Sequence, residues 1–381
     1  MKKLIYLFLV LSLFLYCGLK EGKVEKIMVD GVIHIMNPEK PLKETVLLDV
    51  EKTREINPYQ YEEVHLGWFE FVRDIDGEVI LFNPNNTEAQ RFNQDGEYLG
   101  SLVRKGQGPG EFPGFQMFSV FFMNDQIWAS GAMKMAKYDK KGQFLYERRL
   151  GYRPAIFVDE NTFFIDKKER IEDGWISKIS FVNLPSDKDG ESSIIDFFQA
   201  ENGGTIQSKD GRARFGEAWG TPDIKYAYDQ ENQKLYFALN TEYKINVKNL
   251  KGEILHVIEK PYKHVKVNLE DKKELLSWAL RDESSKWMLS VYPDTLVAIK
   301  DIKTLPKGYI AVYRVSGVKT CEVDVFDQEG RFVYIIKPPQ GVSLETAKFY
   351  SFGFATKETQ EDELLVYAEY IIKNLPDIFQ Y

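Results

Sequence analysis

The chain of 381 residues is 44% hydrophobic and 28% charged, with 14% aromatic residues, 27 Gly and 15 Pro, a globular composition that excludes disorder. Fifty basic against fifty-eight acidic residues leave a formal charge of −8, so there is no global attraction for nucleic acid or anionic lipid heads. Four histidines (His34, His65, His256, His264) and two cysteines leave no zinc finger, CxxC redox motif or multi-bridge disulfide framework.

The N-terminus reads as an address. Met1-Lys2-Lys3 is basic, and Leu4 to Leu15 is almost wholly apolar. A run of about 12 residues is too short to span ~30 Å of hydrocarbon and has the length of a secretory signal core. The segment Phe14-Leu15-Tyr16-Cys17-Gly18 resembles the lipobox of bacterial lipoproteins, whose cysteine is acylated and becomes the mature N-terminus. Tyr16 departs from the small residue that family prefers before its cysteine. The resemblance implies residues 1–17 as a signal peptide, lipidation at Cys17, and membrane attachment through that lipid. Residues 18–30 then form a tether. An ordinary cleaved signal, an uncleaved anchor and a Cys17–Cys321 disulfide are the competing readings.

Strands dominate the body. Gly31–Met36 and Glu44–Val50 come first, followed by short aromatic or β-branched runs at Val79–Phe82, Phe118–Met123, Ile127–Ala129, Thr162–Ile165, Leu235–Leu239, Tyr309–Tyr313 and Leu364–Tyr367. Lys178–Phe181 alternates as a half-buried strand does. Five segments repeat a pattern of strand, glycine-ended turn and strand: NQDGEYLGSL at Gly96, DKKGQFLYER at Gly142, DKDGESSIID at Gly190, NLKGEILHVI at Gly252 and DQEGRFVYII at Gly330. Each glycine suits a hairpin needing positive φ. Phe92, Tyr138 and Phe326 stand four residues before theirs, which places them at a shared inward position. The glycines lie 46, 48, 62 and 78 residues apart, and the first two intervals fall near one four-stranded propeller blade. The longer intervals carry inserts: a polar loop at Glu201–Gly220, and a helix at Asn268–Leu289. In the helix Asn268 caps with Asp271, and Leu269, Leu276, Leu280 and Trp287 recur at helical spacing.

Counting gives six blades. Five Gly-turn hairpins cover residues 62–340, and Lys348–Ala355 with Glu363–Lys373 supply a sixth. The N-terminal strands close the ring by adding to the last blade, which leaves no exposed edge. The expected fold is therefore all-β, a single six-bladed β-propeller over residues 31–381 with one inserted helix at 268–289. Seven blades would leave about 51 residues each, fewer than the two longest intervals.

After the first Gly-turn comes Arg104-Lys105-Gly106-Gln107-Gly108-Pro109-Gly110-Glu111-Phe112. With its preceding strand this stretch resembles the NHL repeat and the related bacterial six-bladed propeller lipoproteins, whose blades join through a G-x-G-x-G-E-F connection. The likeness is strongest over residues 62–150, weaker at 226–258 and 308–336, and Gly31–Pro38 resembles the N-terminal segment of those lipoproteins. Later blades lack the string, and Gly216–Gly220 is at most a degenerate echo. Gly106, Gly108 and Gly110 around Pro109 permit a tight crossover between blades. Glu111 can accept leftover backbone N–H groups and Phe112 can anchor the loop. A phosphate cradle would need a helix after the glycines, and Pro113-Gly114 and a strand follow instead.

Some six-bladed propellers are lactonases or esterases holding Ca²⁺ in the central channel, and NHL-type amidating lyases use zinc. Calcium needs six to eight oxygens, for which Asn83, Asp159, Glu160, Asn161, Asp294 and Asp301 are the conceivable donors. His34 and His256 lie on different strands and are not expected to converge on zinc. No GxSxG or HExxH motif is present. Cys321, Val323 and Val325 share an apolar strand face while Glu322 and Asp324 point the other way, so Cys321 reads as a buried inert thiol. Trp175, Trp219 and Trp287 fall in or beside inserts and are the expected recognition surface. Taken together, these features describe an exported, lipid-anchored binding module of the cell envelope, without a cofactor, for a protein, peptide or glycan ligand. The alternatives are a Ca²⁺-dependent hydrolase or lyase with its site in the central channel, and a purely structural envelope protein.

Overall fold

A computed structural model describes residues 23–374 apart from 115–118, 132–133, 152–153, 172–173, 185–192, 204–205, 208–213, 216–221, 278–279, 281–285 and 361–362. The leader with Cys17, the Gly190 turn, Trp219 and most of the 201–220 insert lie outside the described residues. The fold is a six-bladed β-propeller. Blade 1 comprises Glu70–Arg73, Val79–Asn83, Glu88–Phe92 and Tyr98–Ser101. Blade 2 comprises Ser119–Met123, Gln126–Ser130, Lys134–Tyr138 and Phe144–Arg149, and blade 3 Ile156–Phe157, Thr162–Ile171, Gly174–Asn183 and Ser193–Gly203. Blade 4 is Ile224–Asp229, Lys234–Leu239, Lys244–Asn249 and Ile254–Glu259, and blade 5 Ile299–Thr304, Ile310–Val315, Cys321–Phe326 and Phe332–Lys337. Blade 6 is Lys348–Tyr350, Gly353–Thr359 and Leu365–Ile372, completed by Val50–Ile56.

The chain divides into two compact units, one of residues 1–47, 170–176 and 200–337, the other of 48–169, 177–199 and 338–381. In the first, Tyr236, Ile245, Val247 and Ile258 of blade 4 pack on Ile299, Ile310, Val312 and Phe326 of blade 5. In the second, Phe71, Leu81 and Phe92 of blade 1 meet Ala355 and Tyr367 of blade 6. On its other face blade 1 packs Ile80 and Ala89 on Val120, Ile127 and Tyr138 of blade 2. Trp128 and Met135 of blade 2 then meet Phe163, Ile165 and Val182 of blade 3. Each fully buried large side chain contributes about 1.5–3 kcal/mol. Val79–Phe82 reads as an unbroken apolar run because both faces of its sheet are covered.

The repeated turn has a definite chemistry. Asn93, Asp139, Asn249 and Asp327 each stand three residues before the glycine, and their Oδ1 atoms accept backbone N–H groups across the turn. The glycine N–H returns to the carbonyl of the same Asx residue. The glycines adopt φ of 85°, 78°, 83° and 78°, and the ladder shifts register beside each turn. This is a type I turn closed by a left-handed residue and a bulge.

A neighbouring element clamps three of these turns. Arg91 of blade 1 donates to the carbonyls of Lys140 (2.6 Å) and Lys141 (2.5 Å) in the blade 2 turn. Arg54 of blade 6 donates to Gly77 and Gln94 of blade 1 at 2.8 and 2.7 Å. Asn37, just beyond the outer edge of blade 4, holds the blade 5 turn from both sides, donating to the Gly330 carbonyl at 2.9 Å and accepting the Phe332 N–H at 2.7 Å.

Closure follows the expected principle with a different strand. The last blade takes its fourth strand from the N-terminal region, and that strand is Val50–Ile56, antiparallel to Leu365–Ile372. Val32–Met36, which the sequence reading assigned to the closing blade, runs parallel to Ile254–Glu259 on blade 4. Glu25–Val29 pairs outside it through a hairpin at Asp30 and Gly31, both with positive φ. Val46–Leu47 extends blade 5. Pro38 and Pro41 punctuate the path, and the Leu42 and Lys43 N–H groups bond the outer strand of blade 5.

The helical insert also differs from expectation. Helix α1 spans Leu269–Leu275, with the reciprocal Asn268–Asp271 capping box in place. It stops at Leu276, whose φ and ψ of −98° and 9° leave the helix, and α2 is a separate turn at Met288–Val291. Lys272 anchors α1 by donating to the Tyr292 carbonyl and to Asp294. Leu276 is buried, whereas Leu269 is 56% exposed and does not share the expected apolar stripe. The strand Cys321–Phe326 is buried on both faces over Val323–Phe326, so Asp324 does not point to solvent as the alternation suggested, while Cys321, expected to be buried, is half-buried like Glu322.

Replacing Asn37 with Ala leaves a buried N–H and a buried carbonyl unpaired and should cost about 2 kcal/mol or more in urea denaturation. His256 tests the same region by pH. Burial, then Lys234 and Lys26, depress its pKa to about 4. The unfolded chain binds this proton first, so the stabilising contribution is complete above pH 6.5 and lost as pH falls through 4. His256→Leu should flatten stability against pH in that window relative to wild type; parallel curves would contradict the assignment.

Candidate functional site

The blade-connecting string forms a tight loop. Arg104–Lys105 pairs in parallel with Glu111–Phe112, and Gly106 N–H donates to the Phe112 carbonyl at 3.0 Å. Glu111 Oε2 accepts from the Gly108 N–H at 2.9 Å. A Cβ on Gly106 would lie 2.0 Å from that same carboxylate oxygen. Gly110 has φ +71°, donates to Glu147 and accepts from the buried Tyr138 hydroxyl at 2.7 Å. Pro109 leads into that residue, and Phe112 is fully buried between blades 1 and 2. Lys134 binds both the Gly108 carbonyl and Glu147, holding that carboxyl below its usual range although burial alone would raise it.

A cleft of about 630 Å³ opens between blades 2 and 3. Blade 2 contributes Asn124, Gln126, Trp128 and Lys137, and blade 3 contributes Asp159, Glu160, Asn161, Thr162 and Asn183. Strand register builds its blade 2 wall. Phe121 is opposite Trp128, Trp128 opposite Lys137, and Lys137 opposite Tyr146, one row across all four strands. Phe121 stacks on Phe157 of blade 3 at 3.9 Å, and Trp128 meets Tyr146 edge-on at 6.0 Å. Lys137 Nζ sits 4.9 Å from the Trp128 ring centre, 5.4 Å from that of Tyr146 and 3.4 Å from Glu160 Oε2. Burial, then Glu160, raises the Tyr146 pKa.

The blade 3 wall is a turn. Asp159 Oδ1 accepts the N–H groups of Asn161 and Thr162 at 2.8 Å each, and Arg148 donates to Asn161 Oδ1 at 2.9 Å. Trp128 is 1% exposed, yet its Nε1–H has no hydrogen-bond partner among the described residues, and Thr162 Oγ1 is in the same condition. A buried polar atom left unpaired costs about 1–3 kcal/mol. Both residues line the cleft, although these two atoms are themselves closed to solvent.

Of the residues nominated from sequence, the structure brings together Asp159, Glu160 and Asn161. Asp294 is paired with Lys272 at 2.7 Å, and Asp301 has Lys303 at 3.7 Å with the charge of Lys225 also acting on it. Asn83 uses its amide on the Leu66 carbonyl and its oxygen on the Asn85 N–H. These surroundings do not fit a shared calcium site, because the acidic donors outside the cleft already face cations. Among the described residues no group of three His, Cys, Asp or Glu side chains is placed to hold a metal. His34 is bonded to Glu259, and His256 lies on the outer strand of blade 4. Trp287 stands just before α2 without a capping side-chain bond and is half-buried, Trp175 lies on Gly174–Asn183 with its side chain outside the described residues, and neither lines the cleft.

A second polar cluster is closed. Asp324, fully buried, accepts from Lys260 (2.7 Å), Tyr243 (2.6 Å) and Arg314 (2.9 Å). Burial draws the Lys260 pKa down against the pull of Asp324, and pushes Tyr243 well up. Removing one member of such a network strands a charge, which makes it structural.

Replacing Gly110 with Ala adds strain at positive φ and places a Cβ 2.6 Å from Phe144 Cδ2, so a loss of roughly 1–3 kcal/mol is expected on thermal or urea unfolding.

By sequence, residues 61–236 match a family described as DUF5128, 6-bladed beta-propeller. No curated protein matches the chain by sequence. Similar solved structures include a protein described as exported from Bacteroides fragilis, 13% identical, covering 90% of this chain and 100% of that one with a TM-score of 0.47. A DUF4221 family member from Bacteroides vulgatus is 12% identical, with coverage of 93% and 100% and a TM-score of 0.48. Virginiamycin B lyase from Staphylococcus aureus is 12% identical, with coverage of 86% and 90% and a TM-score of 0.39. Likenesses this distant carry no argument about activity. The family match and the six sheets agree on the architecture: this chain is a six-bladed β-propeller.

Proposed function

We propose that this protein is an exported, lipid-anchored binding module of the cell envelope that holds a polar ligand in the cleft between blades 2 and 3. The observation that carries the reading is the cleft wall: a buried indole N–H without a partner, bordered by amide, carboxylate and ammonium side chains from two sheets. Binding sites of this kind place a few polar groups around an aromatic surface. Export and anchoring rest on the leader and on the lipobox-like Tyr16-Cys17-Gly18.

Two measurements test this. Tritiated palmitate should label the wild-type chain in a bacterial host and not Cys17→Ser; equal labelling removes the anchor. Purified protein should melt several degrees higher with millimolar oligosaccharides or short peptides. No shift with either class would refute the binding role.

A further inference from the structure

We propose that the outer edge of the N-terminal hairpin is a self-association site, where a second copy of this chain pairs its own Glu25–Val29 strand antiparallel to the first. The proposal stands apart from the cleft and from the lipid anchor. Glu25–Val29 is the end strand of the sheet that contains blade 4, paired with Val32–Met36 on one side only. Its other side therefore offers every second backbone N–H and carbonyl to an incoming strand. No proline, bulge or central charge interrupts these five residues, and such devices are what keep an edge from pairing. Ile27, Met28 and Val29 are 43%, 67% and 38% exposed, and Ile33, opposite Met28, is 40% exposed.

The order of residues selects the occupant. Lys26 stands before the three apolar residues and Asp30 after them, both exposed and neither in an ion pair among the described residues. Antiparallel pairing about a two-fold axis at Met28 sets Met28 against its own copy, and Ile27 against Val29 of the second copy. It also brings each Lys26 beside Asp30 of the other copy, so opposite charges close both ends of an apolar centre. Other arrangements lose this match. Centred on Ile27, the pairing puts Lys26 opposite Met28 and Glu25 opposite Val29; centred on Val29, it puts Met28 opposite Asp30. In-register parallel pairing sets Lys26 on Lys26 and Asp30 on Asp30.

Both faces of the joined sheet agree with this register. Met28 and Ile33 share one face, so the two copies form a single apolar row of Ile33, Met28, Met28 and Ile33 across four strands. Ile27 and Val29 share the other face with His34 and Val32. An edge apolar on both faces suits a strand, whose side chains alternate, better than a flat surface that covers one face. Two five-residue edges bury less than the ~1,600 Å² of a standard interface, so the dimer is reversible and depends on concentration.

The test is thiol trapping and sedimentation of the full chain, purified in detergent from an exporting host. Met28→Cys should form a covalent dimer on mild oxidation, because directly opposed Cβ atoms lie about 4.5–5.5 Å apart. Ile33→Cys, one strand further from the axis in each copy, and wild type should not. Lys26→Asp and Asp30→Lys should each weaken self-association about tenfold or more, and mixing the two variants should recover it by restoring opposite charges at both ends. Lysine is accommodated at a left-handed position elsewhere in this chain, at Lys307 with φ 57°. A chain that is monomeric at every concentration and gives no Met28→Cys dimer overturns the proposal, as does a mixture no more associated than either variant alone. Trapping of Met28→Cys on a different protein, or shielding of its thiol only when lipid vesicles are added, would give the edge to another strand or to a bilayer and also overturn it.

Discussion

The fold depends on how the end of one sheet is fastened to the next. Hydrophobic burial brings blades together without specifying where along the strands they meet. The hydrogen bonds from Arg91, Arg54 and Asn37 supply that specification, because each is directed at carbonyls of a neighbouring turn that the turn itself cannot satisfy. The glycine in the turn serves the same contact. At Gly142 a Cβ would sit 2.5 Å from Arg91 Nη1, so the position must be bare for the guanidinium to reach the backbone. A single substitution at either partner therefore affects two sheets.

The repeat was legible because the turn demands residues that sequence shows directly: glycine at positive φ, a polar residue three positions earlier, and an aromatic before that. Six blades follow from counting five such turns and adding the strands of Lys348–Ala355 and Glu363–Lys373, which have no turn of that kind. The sequence reading missed the identity of the closing strand. Gly31–Met36 and Glu44–Val50 are the strands expected there, whereas Val32–Met36 lies on blade 4, Val46–Leu47 on blade 5, and Val50–Ile56 closes blade 6. The helix was read as too long because Leu280 and Trp287 continue the spacing, although Leu276 ends the helix by turning into the core.

The cleft was not legible, for a specific reason. Trp128 appears in the sequence as one more strand residue, and Lys137 as an ordinary polar position. Their meeting depends on cross-strand register, and the further step from Lys137 to Tyr146 lies beside a bulge between Lys137 and Tyr138 that shifts the count by one. Asp159, Glu160 and Asn161 were visible as a polar turn, but nothing in their spacing tells that a row of aromatics faces them.

The N-terminal strand has a consequence in time. Val50–Ile56 docks on a strand far along the sequence: Arg54 and its partner Glu369 are 315 residues apart. Until blade 6 forms this strand has no sheet to join, so closing that blade waits on a contact of very high sequence separation that forms slowly. Glu51, Lys52, Arg54 and Glu55 keep the waiting strand charged on both faces, which protects it from pairing with the wrong chain.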